Sequence, residues 1–220
     1  MELRCSNKIM DIEPKNLIVM GFTPRDEKVI RELFEALKNI GGAIPDKTPM
    51  TYPLSPDLLT TREEISVVGN DTNGEVEYLI ISFHGDIYIG VGSDHADKQV
   101  ESFDIHKSKQ LCAKHMCKEV WKWSEVKDHW DQVVLESRYF VDGTEELYQK
   151  NIAEVMLRPE KIMESVEEFY HKKISDMNCV IFSGSVPTLE GFRYGEHFRY
   201  SLFDPVKNRK IGSEYSIIKL

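Results

Sequence analysis

The sequence predicts an α+β fold, mostly β. Apolar runs of strand length recur along the chain, Gly-containing turns join several of them into antiparallel pairs, and helical periodicity is confined to a few stretches. Residues 17–20 read as a short buried strand. A helix follows, with Thr23 as N-cap, Pro24 at the first helical position and Asp26 and Glu27 in the first turn. Val29, Ile30, Leu33, Phe34 and Leu37 supply its apolar face, and Ile40, Gly41 and Gly42 its end. From 43 to 56, Pro45, Pro49, Pro53 and Pro56 predict an extended segment without regular structure. Residues 75–82 and 87–91 form a hairpin pattern around a tight turn near Gly85. A polar stretch, 97–106, precedes a helix-compatible segment at 119–130. Strand pieces at 133–135 and 139–141, expected to pair with each other, come next, with a turn at Asp142 and Gly143. A second helix is expected from about Arg158, with Pro159 in its first turn and Ile162, Met163, Val166, Phe169 and Tyr170 as its stripe. Residues 179–182 read as a buried strand, and 198–203 with 211–218 as a closing hairpin turning at Asp204 and Pro205.

With 220 residues and 41% hydrophobic content, the chain can bury a sizeable core. One domain over 1–220 is expected, with a strand and helix in 1–44 and a β core in 45–220. The net charge of −9 excludes a general nucleic-acid binder, which needs a basic surface to displace phosphate counterions. No apolar run approaches the roughly 20 residues that span a bilayer, and residues 1–5 lack a signal-peptide core, so no membrane partner is expected. Cys5, Cys112, Cys117 and Cys179 do not make a disulfide framework in a chain of this size, which predicts a reduced, cytoplasmic location.

The chemistry concentrates around Glu75 and Glu77. On a strand, residues two apart share a face. A two-residue loop at His84 and Gly85 sets Asp94 opposite Glu75; a loop at Gly85 and Asp86 sets it opposite Glu77. Either register places Asp94 on the face of the two glutamates, whereas a three-residue loop reverses that face. Clustered carboxylates need a positive partner, and oxygen-only ligation selects Mg²⁺ or Mn²⁺, less specifically Ca²⁺. A Glu-x-Glu pair alone is more often the solvated face of a strand; the third acid brings the two readings to even weight. His95, beside Asp94, is a candidate acid/base group. The small residues at 183–188 let a ligand approach the backbone, and Lys107, Lys109, Arg25 and Arg193 are candidate partners for a substrate carboxylate. Cys112, His115 and Cys117 invite a zinc reading, but no second ligand pair accompanies them, which favours a structural role.

From about Pro45 to Leu220 these pieces, in this order, resemble the fumarylacetoacetate hydrolase family, and within it a bacterial branch known only as a domain of unknown function. The family acts on 2-oxo and β-diketo acids held on a divalent metal. The resemblance implies a mixed β-sheet roll of the family's C-terminal-domain type and metal ligation by Glu75, Glu77 and Asp94. The loop through Asp97 and Gln99 is similar to the family's acidic-basic-glutamine stretch, which implies a substrate contact at Gln99. The family's downstream lysine falls on Lys109 in preference to Lys107. Asp142, Gly143 and Gln149 look like its Asn-Gly turn and glutamine. Residues 183–187 resemble its Thr-Gly-Thr-Pro loop, so that Ser185 would hold the substrate's carboxylate or oxo group; Val186 is an insertion relative to that pattern.

The lid histidine of hydrolytic members has no counterpart in residues 21–27, where Asp26 or Glu27 would serve as base given a raised pKa. The implied function is a metal-dependent enzyme acting on a small anionic oxo acid through an enolate, as hydrolase, hydratase, isomerase or decarboxylase. Lys109, Ser185 and Arg25 would hold the acid, His95 or Glu27 would move protons, and the chain would be a homodimer. The alternative is a non-catalytic small-molecule or metal-binding module that retains the fold.

Overall fold

In the computed structural model, which describes residues 1–39 and 44–220, two curled β-sheets share an apolar core. The larger sheet runs in the order Met50–Leu54, Asn16–Gly21, Cys179–Phe182, Val76–Phe83, Asp86–Asp94, Lys114–Met116 and Leu59–Thr60, with Trp121–Lys122 also pairing to Asp86–Asp94. The second follows Thr144–Ile152, Val134–Val141, His197–Asp204, Arg209–Lys219 and Glu64–Val67. Most pairings are antiparallel, but Cys179–Phe182 runs parallel to Asn16–Gly21, Lys114–Met116 to Leu59–Thr60 and Arg209–Lys219 to Glu64–Val67. The sheets are therefore mixed, as expected.

The larger sheet is covered on both faces, which explains its nearly unbroken apolar strands. One face, with Ile18, Tyr78, Ile80 and Val91, packs against Tyr139, Phe198 and Tyr215 of the second sheet. The other, with Val19, Leu79, Ile81 and Phe182, packs against Leu3 and Met10 of a short N-terminal hairpin, Glu2–Cys5 and Lys8–Asp11, that sequence periodicity did not reveal.

The acidic hairpin turns through His84 and Gly85, both left-handed (φ 50° and 82°), the geometry that matches strand twist in two-residue turns. Its register, Val76 opposite Ser93 through Phe83 opposite Asp86, extends to reciprocal backbone bonds between Glu75 and Asp94 of 3.3 and 3.0 Å. The first of the two expected registers is the one adopted.

Several expectations need correction. The first helix is Glu27–Asn39, capped by Asp26, whose Oδ1 accepts from the Lys28 amide at 2.8 Å. It starts late because the Thr23 carbonyl and Arg25 amide are engaged by residues 157 and 155. Its expected end at Ile40–Gly42 lies outside the described residues. The proline-rich segment contains the strand Met50–Leu54, which admits Pro53 because it forms a sheet edge. Residues 119–130 hold the short strand Trp121–Lys122, the helix Trp123–Val126 and part of a 3₁₀ turn, Lys127–Gln132. Trp121, Trp123 and Trp130 all enter the core there, which one straight helix does not permit. The polar stretch after residue 97 forms two short helices, Lys98–Glu101 and Ile105–Gln110, capped by Asp97 and Asp104. The pieces at 133–135 and 139–141 do not pair with each other: Val134–Val141 is one strand, and across the turn at Asp142 and Gly143 it pairs with Thr144–Ile152. The helix Pro159–Tyr170 and the strand Cys179–Phe182 stand where periodicity put them. Among the described residues, no helix is long and apolar enough to cross a membrane.

Candidate active site

Cross-strand register assembles the site row by row. Beside Glu77 the neighbours are Gly92 on one strand and Gly184 on the other, and the Gly184 amide donates to Glu77 Oε2 at 2.8 Å. Gly21 ends the next strand over. These positions carry backbone packed closer than a side chain allows: a Cβ at Gly92 would lie 2.7 Å from the His115 carbonyl, and one at Gly21 would lie 2.7 Å from the Tyr52 ring. At Gly184 (φ 86°) it would strike the Thr23 hydroxyl, which is buried and has no hydrogen-bond partner among the described residues. Tyr52 and Thr23 are thus drawn in around the Glu77 end of the sheet.

One row further on, Glu75 and Asp94 face each other, and Lys114 pairs with Asp94 from the far side. Each of these two acids is met by lysine. Lys98 Nζ donates to Glu75 Oε2 at 2.8 Å and to Glu101 Oε2 at 2.7 Å. Lys109 Nζ bonds Asp94 Oδ2, and Lys114 Nζ lies 3.1 Å from Asp94 Oδ1. That last contact is an ion pair off the hydrogen-bond line, so Oδ1 has no hydrogen-bond partner among the described residues.

Electrostatics separates the acids. Burial pushes the Asp94 carboxyl up, but Lys109 and Lys114 outweigh it and hold the group well below the usual range. Burial, followed by repulsion from Asp94, pushes Glu77 well above it. Lys98 and Lys109 stay charged: desolvation is outweighed by Glu75 and Glu101 for the first, and by Asp94, Glu101 and Glu77 for the second. Burial draws Lys114 down, against the pull of Asp94.

Among the described residues, no three His, Cys, Asp or Glu groups already converge at metal-ligand distance. The donor chemistry nevertheless fits a hard cation: three buried or half-buried carboxylates on one face, an orphaned oxygen on Asp94, and Glu77 disfavoured as an anion until more positive charge arrives. Ligation by Glu75 requires it to exchange its bond to Lys98.

The sequence-predicted residues divide into two groups. Glu75, Glu77, Asp94 and Lys109 come together, with half-buried Ser185 directly after the Gly184 amide. Gln149 is buried and ties the hairpin to that loop, accepting from the Val76 amide at 2.8 Å and donating to the Val186 carbonyl at 2.6 Å. His95 turns to the opposite face, where its ring nitrogens meet the Tyr215 hydroxyl at 2.8 Å and Thr72 Oγ1 at 3.1 Å. Burial lowers it to about 3, leaving a neutral core imidazole without contact to the acids. Glu27 lies exposed on its helix beside Arg31. Arg25 is engaged by Asp131 at 2.5 Å and by the Met156 carbonyl, while Gln99 and Lys107 face solvent.

Sequence reasoning missed Lys98, Lys114, Tyr52 and Thr23. No local signal marked Lys114, because Ala113, His115 and Met116 around it make no apolar run. Cys112 and Cys117 are buried thiols raised to about 11 and about 12, chiefly by burial, in keeping with a structural role.

The comparisons with known proteins bear on the fold. A model of the DUF2848 family, described as proteins of unknown function, matches residues 20–215. No curated protein matches the sequence. Among solved structures, Cg1458 with inhibitor superposes with a TM-score of 0.67 at 13% identity, over 98% of this chain and 84% of that one. A 2-keto-3-deoxy-D-arabinonate dehydratase complexed with magnesium and 2,5-dioxopentanoate gives 0.62 at 14% identity, over 97% and 77%. The 4-oxalocrotonate decarboxylase from Pseudomonas putida G7, complexed with calcium and acetate, gives 0.56 at 10% identity, over 94% and 79%. The chain therefore belongs to the DUF2848 family and has the fold of the fumarylacetoacetate hydrolase superfamily.

Proposed function

We propose that this chain is a divalent-metal-dependent enzyme, of lyase or hydrolase type, acting on a small 2-oxo or β-diketo acid. The observation that carries the reading is the buried Glu77 and Asp94 pair, pushed in opposite directions beside the Lys109 ammonium. The fold adds support, because relatives that share it are a dehydratase and a decarboxylase whose structures are complexed with magnesium and calcium. Glu77 and Asp94, joined by Glu75, would hold Mg²⁺ or Mn²⁺, with Ca²⁺ a weaker fit, and the cation would supply Lewis acidity toward the 2-oxo group.

The remaining work falls to this chain's own groups. Lys109 and Lys98 offset the charge of the substrate carboxylate. The Ser185 hydroxyl and the unpartnered Thr23 hydroxyl donate to its oxygens, and close packing against Gly184 keeps water out. Burial raises the Tyr52 phenol, against the pull of Lys109, so its hydroxyl keeps its proton; without a hydrogen-bond partner among the described residues, it is placed to donate that proton to the reacting carbon.

A second reading has one observation in its favour: the lysine ion pairs already compensate Glu75 and Asp94, as a non-catalytic anion-binding module would need. Calorimetric titration of Mg²⁺ and Mn²⁺ into the native chain and into Glu77→Ala, followed by a screen of acylpyruvates and oxaloacetate, separates the two. Binding lost in the variant, with metal-dependent turnover in the native chain, supports the enzyme. A native chain that binds no metal sinks it.

A further inference from the structure

Of the groups around the acids, Lys114 has no part in the chemistry above. Its side chain is 0% exposed, and three oxygens surround Nζ: the His95 carbonyl at 2.5 Å, the Cys112 carbonyl at 3.2 Å and Asp94 Oδ1 at 3.1 Å. The two carbonyls accept hydrogen bonds from the ammonium, and Asp94 Oδ1 supplies the counter-charge off the hydrogen-bond line. A buried ammonium is costly to desolvate unless an anion lies beside it, and Asp94 is that anion.

We propose that Lys114 is a built-in counter-cation of the acid cluster: a positioning residue whose buried ion pair keeps the Asp94 carboxyl directed into the site before a metal arrives, and that weakens metal binding in return. The inference rests on the metal reading of Glu77 and Asp94. It accounts for two details at once. Asp94 is buried and charged with no cation other than lysine beside it, and its Oδ1 is neutralised by an ion pair yet keeps a lone pair free of hydrogen bonds.

Removing the charge of Lys114 has two consequences of opposite sign. Without metal, Asp94 keeps only Lys109 of its two lysines and the chain becomes less stable. With metal, a less compensated Asp94 and the loss of a repelling ammonium make the cation bind more tightly. A lysine that only fills space predicts the first effect and not the second.

The test uses the full chain and its Lys114→Met, Asp94→Asn and Asp94→Asn/Lys114→Met variants, with Mn²⁺ titrated calorimetrically and thermal melts run with and without it. Lys114→Met is expected to bind Mn²⁺ about 10-fold tighter than the native chain or better, and to gain more melting temperature from the metal. Unchanged or weaker binding overturns the proposal. Should no chain bind Mn²⁺, the metal reading fails by itself and the melts decide. Lys114→Met must then cost more melting temperature in the native background than in Asp94→Asn, and equal losses overturn the counter-cation role. If Lys114→Met folds only when Mn²⁺ is added, the proposal stands; if it folds under neither condition while the double variant is no better, the lysine is a packing residue.

Discussion

Residues 93–95 set two faces of one hairpin side by side. Ser93 and His95 turn to one face and share the Tyr215 hydroxyl at 2.8 Å each, while Asp94 between them turns to the other and meets lysines. Both faces are buried. On the tyrosine face, neutral groups satisfy one another, and His115 extends the pattern with its bond to the Tyr200 hydroxyl at 2.6 Å. On the acid face, charges meet charges, and Asp94 Oδ1 and Thr23 Oγ1 have no hydrogen-bond partner among the described residues. Burial therefore does not distinguish a site from a core, and neither does an unpaired polar atom alone, since Asn73 Oδ1 and Trp130 Nε1 in the core also lack partners; the concentration of buried charge does. It also shows why adjacency in sequence misleads, since His95 is bonded to Asp94 through the backbone and separated from it by the whole sheet.

The largest expected effect comes from breaking the acid face. Glu77→Gln should keep the Gly184 hydrogen bond and lose cation binding, with turnover of a responding oxo acid reduced by about 100-fold or more. Its melting temperature should stay level or rise, because a disfavoured buried carboxyl is gone. A fall in melting temperature as large as a core cavity gives would mean that Glu77 supports the fold.

Acid tests the tyrosine face. Burial lowers His115 from 6.5 to about 4, so between those values the unfolded chain binds a proton that the folded chain refuses. Its contribution is complete above about pH 6.5 and declines toward pH 4, by about 3 kcal/mol in total. Urea unfolding from pH 7 to 4 should show the slope of His115 added to that of His95, which burial lowers to about 3, and His115→Gln should remove about half of it; an unchanged slope in the variant would assign the loss elsewhere.

A smaller cost attends Tyr215→Phe, which strands Ser93 and His95. About 2 kcal/mol of stability should go, with Mn²⁺ affinity unaltered. A change in affinity there would show that the faces are coupled. Smallest of all is Glu27→Ala, whose side chain is 90% exposed: neither melting temperature nor turnover should move. A marked loss of turnover would return the helix acid to the chemistry.

The shared face of Glu75, Glu77 and Asp94 was legible because strand alternation has period two and the turn through His84 and Gly85 leaves little choice of register. Residues 179–182 were legible as four consecutive apolar residues. Lysine pairing was not, because Lys98, Lys109 and Lys114 reach the acids from separate elements that only tertiary folding brings together. The helix start at Thr23 was misread because its backbone is claimed by residues 155–157, a contact that local capping rules do not contain. Tyr52 stayed hidden among prolines that suggested an irregular surface segment, although its strand lies on the sheet edge beside the site.

The strand Cys179–Phe182 is inserted between Asn16–Gly21 and Val76–Phe83, and Asn16 already reaches the Met177 carbonyl across 161 residues. Two strands made early in synthesis must therefore wait, edges unpaired, for one made late, a topology that folds slowly and exposes the intermediate to aggregation. The Gly184 amide that caps Glu77 arrives with that strand. During folding, the acid at the centre of the site is among the groups closed in late.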